Sequence, residues 1–254
     1  MTGLELIRAT AVLDGRRVLD DVDLSVRPGQ LVAVVGPNGA GKSSAIRALA
    51  GLLPLSKGEA RLDGQDVSRL SHRVRAKRVA YLPQERRIAW NLPAVEVAAL
   101  GAPFLTGAEA RSRATGALAE VEALELADRG VAEMSGGERA RVLLARALAT
   151  GAGSLLVDEP IAGLDPDAQL LVLDRLRARA RAGQAILLSL HDLTLAARFA
   201  DRVAVLDHGR LVSSGPPLDA LSPSVLTDVF GLTGRWIEDP EGPLLAAGRR
   251  QSGA

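Results

Sequence analysis

The sequence predicts a doubly wound α/β fold, and three observations carry that prediction. The segments "LVAVV" (31–35), "SLLV" (154–157) and "AILLSL" (185–190) are continuous apolar runs, the pattern of parallel strands buried on both faces. A helical pattern follows each run, and strands alternating with helices build layered α/β cores. A glycine-rich loop, "GPNGAGKS" (36–43), joins the first run to its helix. With 254 residues the chain is long enough for one large domain with a sizeable core.

The elements follow in order. Residues 3–28 alternate apolar and polar groups around "LDGRR" and "RPGQ", which predicts short antiparallel strands. After "LVAVV" and its loop comes the helix "KSSAIRALAGLL"; "GEARLDGQDV" then reads as a hairpin-like element and "RVAYL" (78–82) as a further strand. From Pro93 to Ala127 the pattern is helical and alanine-rich, the mark of an inserted subdomain. A helix starts at Ser135 and ends near 150–153. The strand "SLLV", a helix over 167–182, the strand "AILLSL", a helix over 193–199 and the hairpin "RVAVLDHGRLVSSG" complete the core. The tail after Pro216 is expected to be a short helix followed by irregular structure. The arginine-rich stretches "DRLRARARAG" (174–183) and "RLSHRVRAKR" (69–78) read as solvated helix faces.

Composition narrows the function. Aromatic residues make up 2% of the chain and the net charge is +1, so neither stacking platforms nor a global field favours nucleic acid. Cysteine is absent, which removes disulfides and thiolate metal sites. The start "MTGLELIRAT" has no apolar signal core, and no stretch approaches the ~20 apolar residues of a bilayer span. A cytoplasmic protein is expected. Arginine occurs 28 times and lysine three times, at Lys42, Lys57 and Lys77; a chain so biased keeps lysine where a guanidinium does not fit.

"GPNGAGKS" matches the G-x-x-x-x-G-K-[ST] phosphate loop in its required strand-to-helix context. Gly36, Gly39 and Gly41 let the backbone, with Pro37, Asn38 and Ala40, curl its N–H groups toward phosphate oxygens. Lys42 supplies a compact charge on a long stem, and Ser43 a hydroxyl for Mg²⁺. "SLLVDEP" puts Asp158 and Glu159 at the carboxyl end of a buried strand, the edge where open α/β sheets bind ligands. Asp158 is expected to hold Mg²⁺ through its water shell and Glu159 to polarise an attacking water; capping of the next turn is the plainer alternative. His191 ends "AILLSLH" and is placed to contact the γ-phosphate or the water. Gln84, just after "RVAYLP", is a neutral amide that can ligate Mg²⁺ or the water.

"MSGGERARVL" (134–143) opens with a capping box, Ser135 and Glu138. The box leaves Gly136 and Gly137 unexplained, since each costs about 1 kcal/mol of helix propensity. Bare glycines at a helix start suit an anion. This second phosphate-facing surface lies 93 residues after Lys42. Two chains arranged head to tail would let each cover the nucleotide held by the other.

With these motifs in view, the chain resembles the ATP-binding cassette (ABC) ATPases over nearly its whole length. "GPNGAGKSS" resembles the Walker A loop (Gly36 to Ser44), Gln84 the Q-loop, "MSGGE" the signature, "LLVDEP" Walker B, "AGLDP" (162–166) the D-loop and His191 the switch histidine. The resemblance implies a RecA-like P-loop core with an antiparallel β subdomain and an inserted helical subdomain. On that pattern 1–84 and 151–215 form the catalytic core with the β subdomain, about 85–150 the Q-loop and helical subdomain, and 216–254 a C-terminal tail. It further implies two ATPs with Mg²⁺ sandwiched between two copies, with Ser135, Gly136, Gly137, Glu138 and Asp165 acting across the dimer. Met134 replaces the usual signature leucine, and Ser44 a common threonine. Where the family usually stacks an aromatic on adenine this chain has Leu13, with Val18 nearby, so weak discrimination between ATP and GTP is expected.

"LSHRVRAKRVAYLPQ", "LPAVEVAALG" and the tail "LSPSVLTDVFGLTGRWIEDPEGPLL" are similar to the ATPases of iron–siderophore, haem and cobalamin importers. That similarity implies a separate membrane permease, a substrate-binding protein in the full system, and a position on the inner face of the cell membrane. Residues around 85–100 would then meet the permease, with Trp90 either an exposed anchor or part of the core. A soluble ABC ATPase serving as an assembly factor, as in iron–sulfur cluster assembly, carries the same ATPase motifs, and an importer of another substrate class remains open.

Overall fold

The computed structural model describes residues 3–85 and 90–249. The chain opens with β1 (Leu4–Leu13) and β2 (Arg16–Val26), an antiparallel pair. The turn between them, Asp14 and Gly15, has positive φ at both residues, as a two-residue hairpin requires. Next come β3 (Leu31–Val35), α1 (Lys42–Leu49), β4 (Lys57–Leu62), β5 (Gln65–Asp66), α2 (His72–Arg78) and β6 (Val79–Leu82). The helical stretch holds α3 (Ala94–Ala99), α4 (Gly107–Glu120) and α5 (Gly136–Ala149). The chain then returns through β7 (Ser154–Val157), α6 (Pro166–Arg181), β8 (Ala185–Ser189), α7 (Leu193–Phe199), β9 (Arg202–Asp207) and β10 (Arg210–Gly215). It ends with α8 (Pro217–Ala220), α9 (Pro223–Phe230), β11 (Leu232–Ile237) and β12 (Leu244–Arg249).

The main sheet has the order β10-β9-β3-β8-β7-β6; β9, β3, β8, β7 and β6 run parallel, and β10 is an antiparallel edge. A second, antiparallel sheet has the order β2-β1-β4-β5. Strand periodicity divides the core in two. Leu31, Ala33 and Val35 of β3 join the cluster that includes α5 and α6, whereas Val32 and Val34 join α1 and the antiparallel sheet. Burial on both faces explains the unbroken apolar runs. Because the strands are parallel, the residues following β3, β6, β7 and β8 emerge along one edge, and that edge carries the site. Among the described residues no helix is long and apolar enough to cross a membrane.

Two local expectations are corrected. The tail is not irregular after its first helix. Gly231 stops α9 in a left-handed turn (φ 65°), and β11 and β12 then pair as a hairpin. Leu232, Trp236 and Leu245 pack against the core; Trp236 Nε1 donates to the Leu221 carbonyl, and the Leu245 N–H to Thr194 Oγ1. Nor is the arginine face of α6 simply solvated. Arg179 pairs with Glu120 at the end of α4, and Arg175 with Glu122 just beyond it, tying the core to the helical segment. On α2, which buries no residue, Arg73 and Lys77 each lie 5.3 Å from the Phe104 ring centroid.

Candidate nucleotide site

The loop between β3 and α1 is shaped by its glycines. A Cβ on Gly36 would stand 2.1 Å from the Leu206 carbonyl oxygen, and one on Gly41 (φ 104°) 2.6 Å from that of Val18. Gly41 is also the N-cap of α1, so no side chain covers the N–H groups at the helix start. Asn38 and Gly39 form the exposed crest. The Ala40 N–H returns to the Pro37 carbonyl, and the Ala40 carbonyl accepts from Gly209, which fastens the loop to the β9–β10 turn. Lys42 is buried, and its Nζ donates to the carbonyls of Gly36 (2.8 Å) and Pro37 (3.0 Å). Burial pushes the Lys42 pKa below its ordinary value, while Glu159 and Asp158 pull the other way. A buried ammonium whose hydrogen bonds among the described residues go to backbone carbonyls, at an uncapped helix start, is prepared for an anion. Ser44 is buried beneath the loop.

The second part of the site converges on Asp158 and Glu159 at the end of β7. Asp158 is buried, and its Oδ1 accepts from Ser43 Oγ (3.0 Å) and Ser189 Oγ (2.7 Å). Glu159 has φ 49°, a left-handed backbone that costs a non-glycine residue ~1–3 kcal/mol. Its N–H donates to Ser189 Oγ at 2.8 Å. Its two carboxylate oxygens meet different partners: Oε2 accepts from Gln84 Nε2 at 2.7 Å, and Oε1 lies 2.6 Å from His191 Nε2. The structure thus brings Lys42, Ser43, Gln84, Asp158, Glu159 and His191 into one cluster. Sequence reasoning missed Ser189; the available signal was a hydroxyl inside the apolar run "AILLSL".

The oxygen set also tests for a metal. One hydroxyl and one buried carboxylate, 3.0 Å apart, form the sparse protein contribution that Mg²⁺ takes when phosphates and waters complete its shell. Among the described residues no group of three or more His, Asp and Glu side chains gathers as a metal cage. Ser43 and Asp158 therefore fit Mg²⁺ arriving with a nucleotide, and bound there it would neutralise phosphate charge as the terminal bond breaks. Gln84 Nε2 is committed to Glu159, so in this arrangement the amide orients the carboxylate.

The predicted residues of the α5 and α6 starts make their own local contacts. Ser135 caps α5: its Oγ accepts from the Glu138 N–H, Glu138 Oε2 accepts from the Ser135 N–H, and Arg129 pairs with Glu138. The Ser135 N–H in particular holds the Glu138 carboxyl below its usual range. A Cβ on Gly136 would meet nothing within 4 Å, and one on Gly137 only ordinary contacts, among them Asp165 Oδ2 at 3.8 Å. Packing within this chain therefore does not demand either glycine. Asp165 caps α6 through the Ala168 N–H. Among the described residues no hydrogen bond joins Ser135–Glu138 to the phosphate loop. Val18 lies beside Gly41, and Leu13 is exposed near the end of the β1–β2 hairpin.

Comparison with known proteins identifies the lineage. The profile of the ABC transporter family matches residues 19–162. The chain belongs to this family. Among ABC proteins, a hemin import ATP-binding protein HmuV from Myxococcus xanthus is 44% identical, covering 93% of this chain and 93% of its own. HmuV from Streptomyces coelicolor is 46% identical over 86% of this chain and 79% of its own. A cobalamin import ATP-binding protein BtuD from Halobacterium salinarum is 40% identical over 91% and 58%. Of solved structures, the ATP-binding subunit of an ABC transporter superposes with TM-score 0.76 at 30% identity, covering 85% of this chain and 90% of that one. A dimeric post-hydrolysis ATP-binding cassette bound to ADP and Pi gives 0.75 at 25% identity, covering 84% and 98%. The fold is accordingly the RecA-like cassette with its antiparallel β subdomain, and the chain is an ABC ATPase.

Proposed function

We propose that this chain is the ATP-hydrolysing subunit of an importer, with haem, cobalamin or an iron–siderophore as cargo and a separate membrane permease as the conduit. The observation that carries this reading is a site built in two separate parts. A cluster of polar and charged side chains gathers at the phosphate loop, while a glycine-opened helix start, sterically free in its own chain, makes no hydrogen bond to that loop among the described residues. Two copies arranged head to tail complete two sites, each placing Ser135, Gly136, Gly137 and Glu138 over the nucleotide of the other, with Asp165 at the junction. The loop residues Gly36–Ser44 hold the phosphates, and Ser43, Asp158 and Gln84 face the Mg²⁺ and its waters. Glu159 takes the proton from the attacking water, with His191 and Gln84 steering its carboxylate. Leu13 and Val18 offer apolar contact to the base.

The likeness to hemin and cobalamin import ATP-binding proteins supports the import direction and the cargo class. The permease-facing surface is assigned around 85–100. Residues 86–89 lie outside the described residues, but Trp90 is 72% exposed and Leu100 is 61% exposed, which favours the anchor reading for Trp90 over the core. A substrate-binding protein completes the system, and the permease keeps this subunit at the inner face of the membrane.

The test is recovery of tagged Glu159→Gln protein from detergent-solubilised native membranes with Mg·ATP. The variant is expected to bind ATP, to lose at least about 100-fold in turnover, and to bring down a polytopic membrane protein. Recovery of only itself and soluble proteins favours the assembly-factor role. Turnover at the parental rate removes Glu159 from the role of base.

A further inference from the structure

Ser189 stands where the strand pattern calls for a hydrocarbon. On β8 the residues Ala185 and Leu187 face the cluster formed with α1 and the antiparallel sheet, and Ser189 is the next position on that face. It is fully buried, with 0% of its surface exposed. Valine or leucine there would continue the core at no polar cost, whereas a buried hydroxyl must find partners. It finds two, and both belong to the hydrolytic cluster. Its hydrogen goes to Asp158 Oδ1 at 2.7 Å, and its oxygen receives the Glu159 N–H at 2.8 Å.

We infer that Ser189 is a positioning residue for ATP hydrolysis, fixing the metal-facing carboxylate of Asp158 and the left-handed backbone of Glu159 through one hydroxyl. The inference rests on the reading of this chain as an ATPase whose Mg²⁺ sits at Ser43 and Asp158. Its logic is geometric. Asp158 and Glu159 are consecutive, but their tasks differ: one carboxylate faces a cation, the other must meet water. The φ of 49° at Glu159 separates them, and the Ser189 hydroxyl donates on one side of that bend and accepts on the other. Ser189 also sits two residues before His191, so the same strand end delivers the hydroxyl and the imidazole that contact Glu159 from two sides. Ser43 reaches the same Oδ1 from the phosphate loop. Ser189 belongs to the sheet, and its hold does not depend on the state of that loop.

The experiment compares the full-length parent with Ser189→Ala, Ser189→Thr and Ser189→Val. Threonine and valine share one shape and differ in the hydroxyl, which separates hydrogen bonding from packing. Two quantities are read: calorimetric ADP affinity with and without Mg²⁺, and steady-state ATPase as a function of ATP. Removing a hydrogen bond that orients a metal-facing carboxylate costs about 10- to 100-fold in metal affinity or activity. Ser189→Ala and Ser189→Val are expected to lose kcat in that range with KM for ATP little changed. They should bind metal-free ADP like the parent and lose most of the affinity that Mg²⁺ adds. Ser189→Thr should restore both. Equal kcat and equal Mg²⁺ response in the Thr and Val variants would overturn the inference. If the parent binds Mg·ADP but does not hydrolyse ATP, the ATPase reading falls, and the binding comparison still decides whether Ser189 positions Asp158.

Discussion

Lys42 commits its ammonium to two backbone carbonyls in a space that leaves it 5% exposed. A planar guanidinium is longer and broader and cannot make those two bonds from the same stem. Lys42→Arg is therefore expected to weaken ATP binding at least about tenfold, whereas Lys57→Arg, on the exposed start of β4, leaves it unchanged. Equilibrium nucleotide titration of the two variants checks this, and equal affinities would show that charge alone suffices. At this scale the sequence is legible where one residue type has one chemical use. Lysine in an arginine-rich chain, and paired carboxylates at a strand end, advertise themselves. Ser189 does not, because one hydroxyl in an apolar run acquires meaning only when β8 is paired with β7, in the register that sets Leu188 against Val157.

At the scale of elements, α4 and α5 supply a natural control for each other. Each opens with a full capping box, Thr106 with Glu109 and Ser135 with Glu138, and each carries a glycine directly after the cap. The two boxes are nearly the same local structure, yet only α5 belongs to the proposed second half of the site. Thr106→Ala and Ser135→Ala are each expected to cost about 1 kcal/mol of stability in denaturant unfolding. Only Ser135→Ala should also lower ATPase activity at saturating ATP; matching activity losses would reduce Ser135 to a helix cap. Helix starts and buried strands were readable because caps and apolar runs are local signals. The β11–β12 hairpin was not, because its strands "LTGRWI" and "LLAAGR" contain glycine and alanine, weak strand formers. What holds it is tertiary: the Trp236 and Leu245 hydrogen bonds to Leu221 and Thr194, and the Arg198 Nε bond to the Glu241 carbonyl.

For the molecule as a whole, the central sheet works as a partition with the antiparallel sheet on one face and the helical segment on the other. Half-exposed ion pairs such as Arg175–Glu122 are weak fastenings. They suit a joint between bodies better than a rigid seam. The exposed side chains of Trp90, Leu100 and Phe104 belong to the helical side of that joint. Trp90→Ala is expected to change stability by less than about 0.5 kcal/mol and to leave the isolated ATPase unaltered. It should also sharply reduce recovery of the permease with the Glu159→Gln bait; full recovery would move the docking surface elsewhere. The two tryptophans of the chain occupy contrasting settings, Trp90 largely in water and Trp236 half-buried with its indole N–H bonded to the Leu221 carbonyl. The protein thus carries its own pair of optical probes. Emission from Trp90 should be red-shifted, open to acrylamide quenching and sensitive to a membrane partner, while emission from Trp236 reports whether the C-terminal hairpin stays seated.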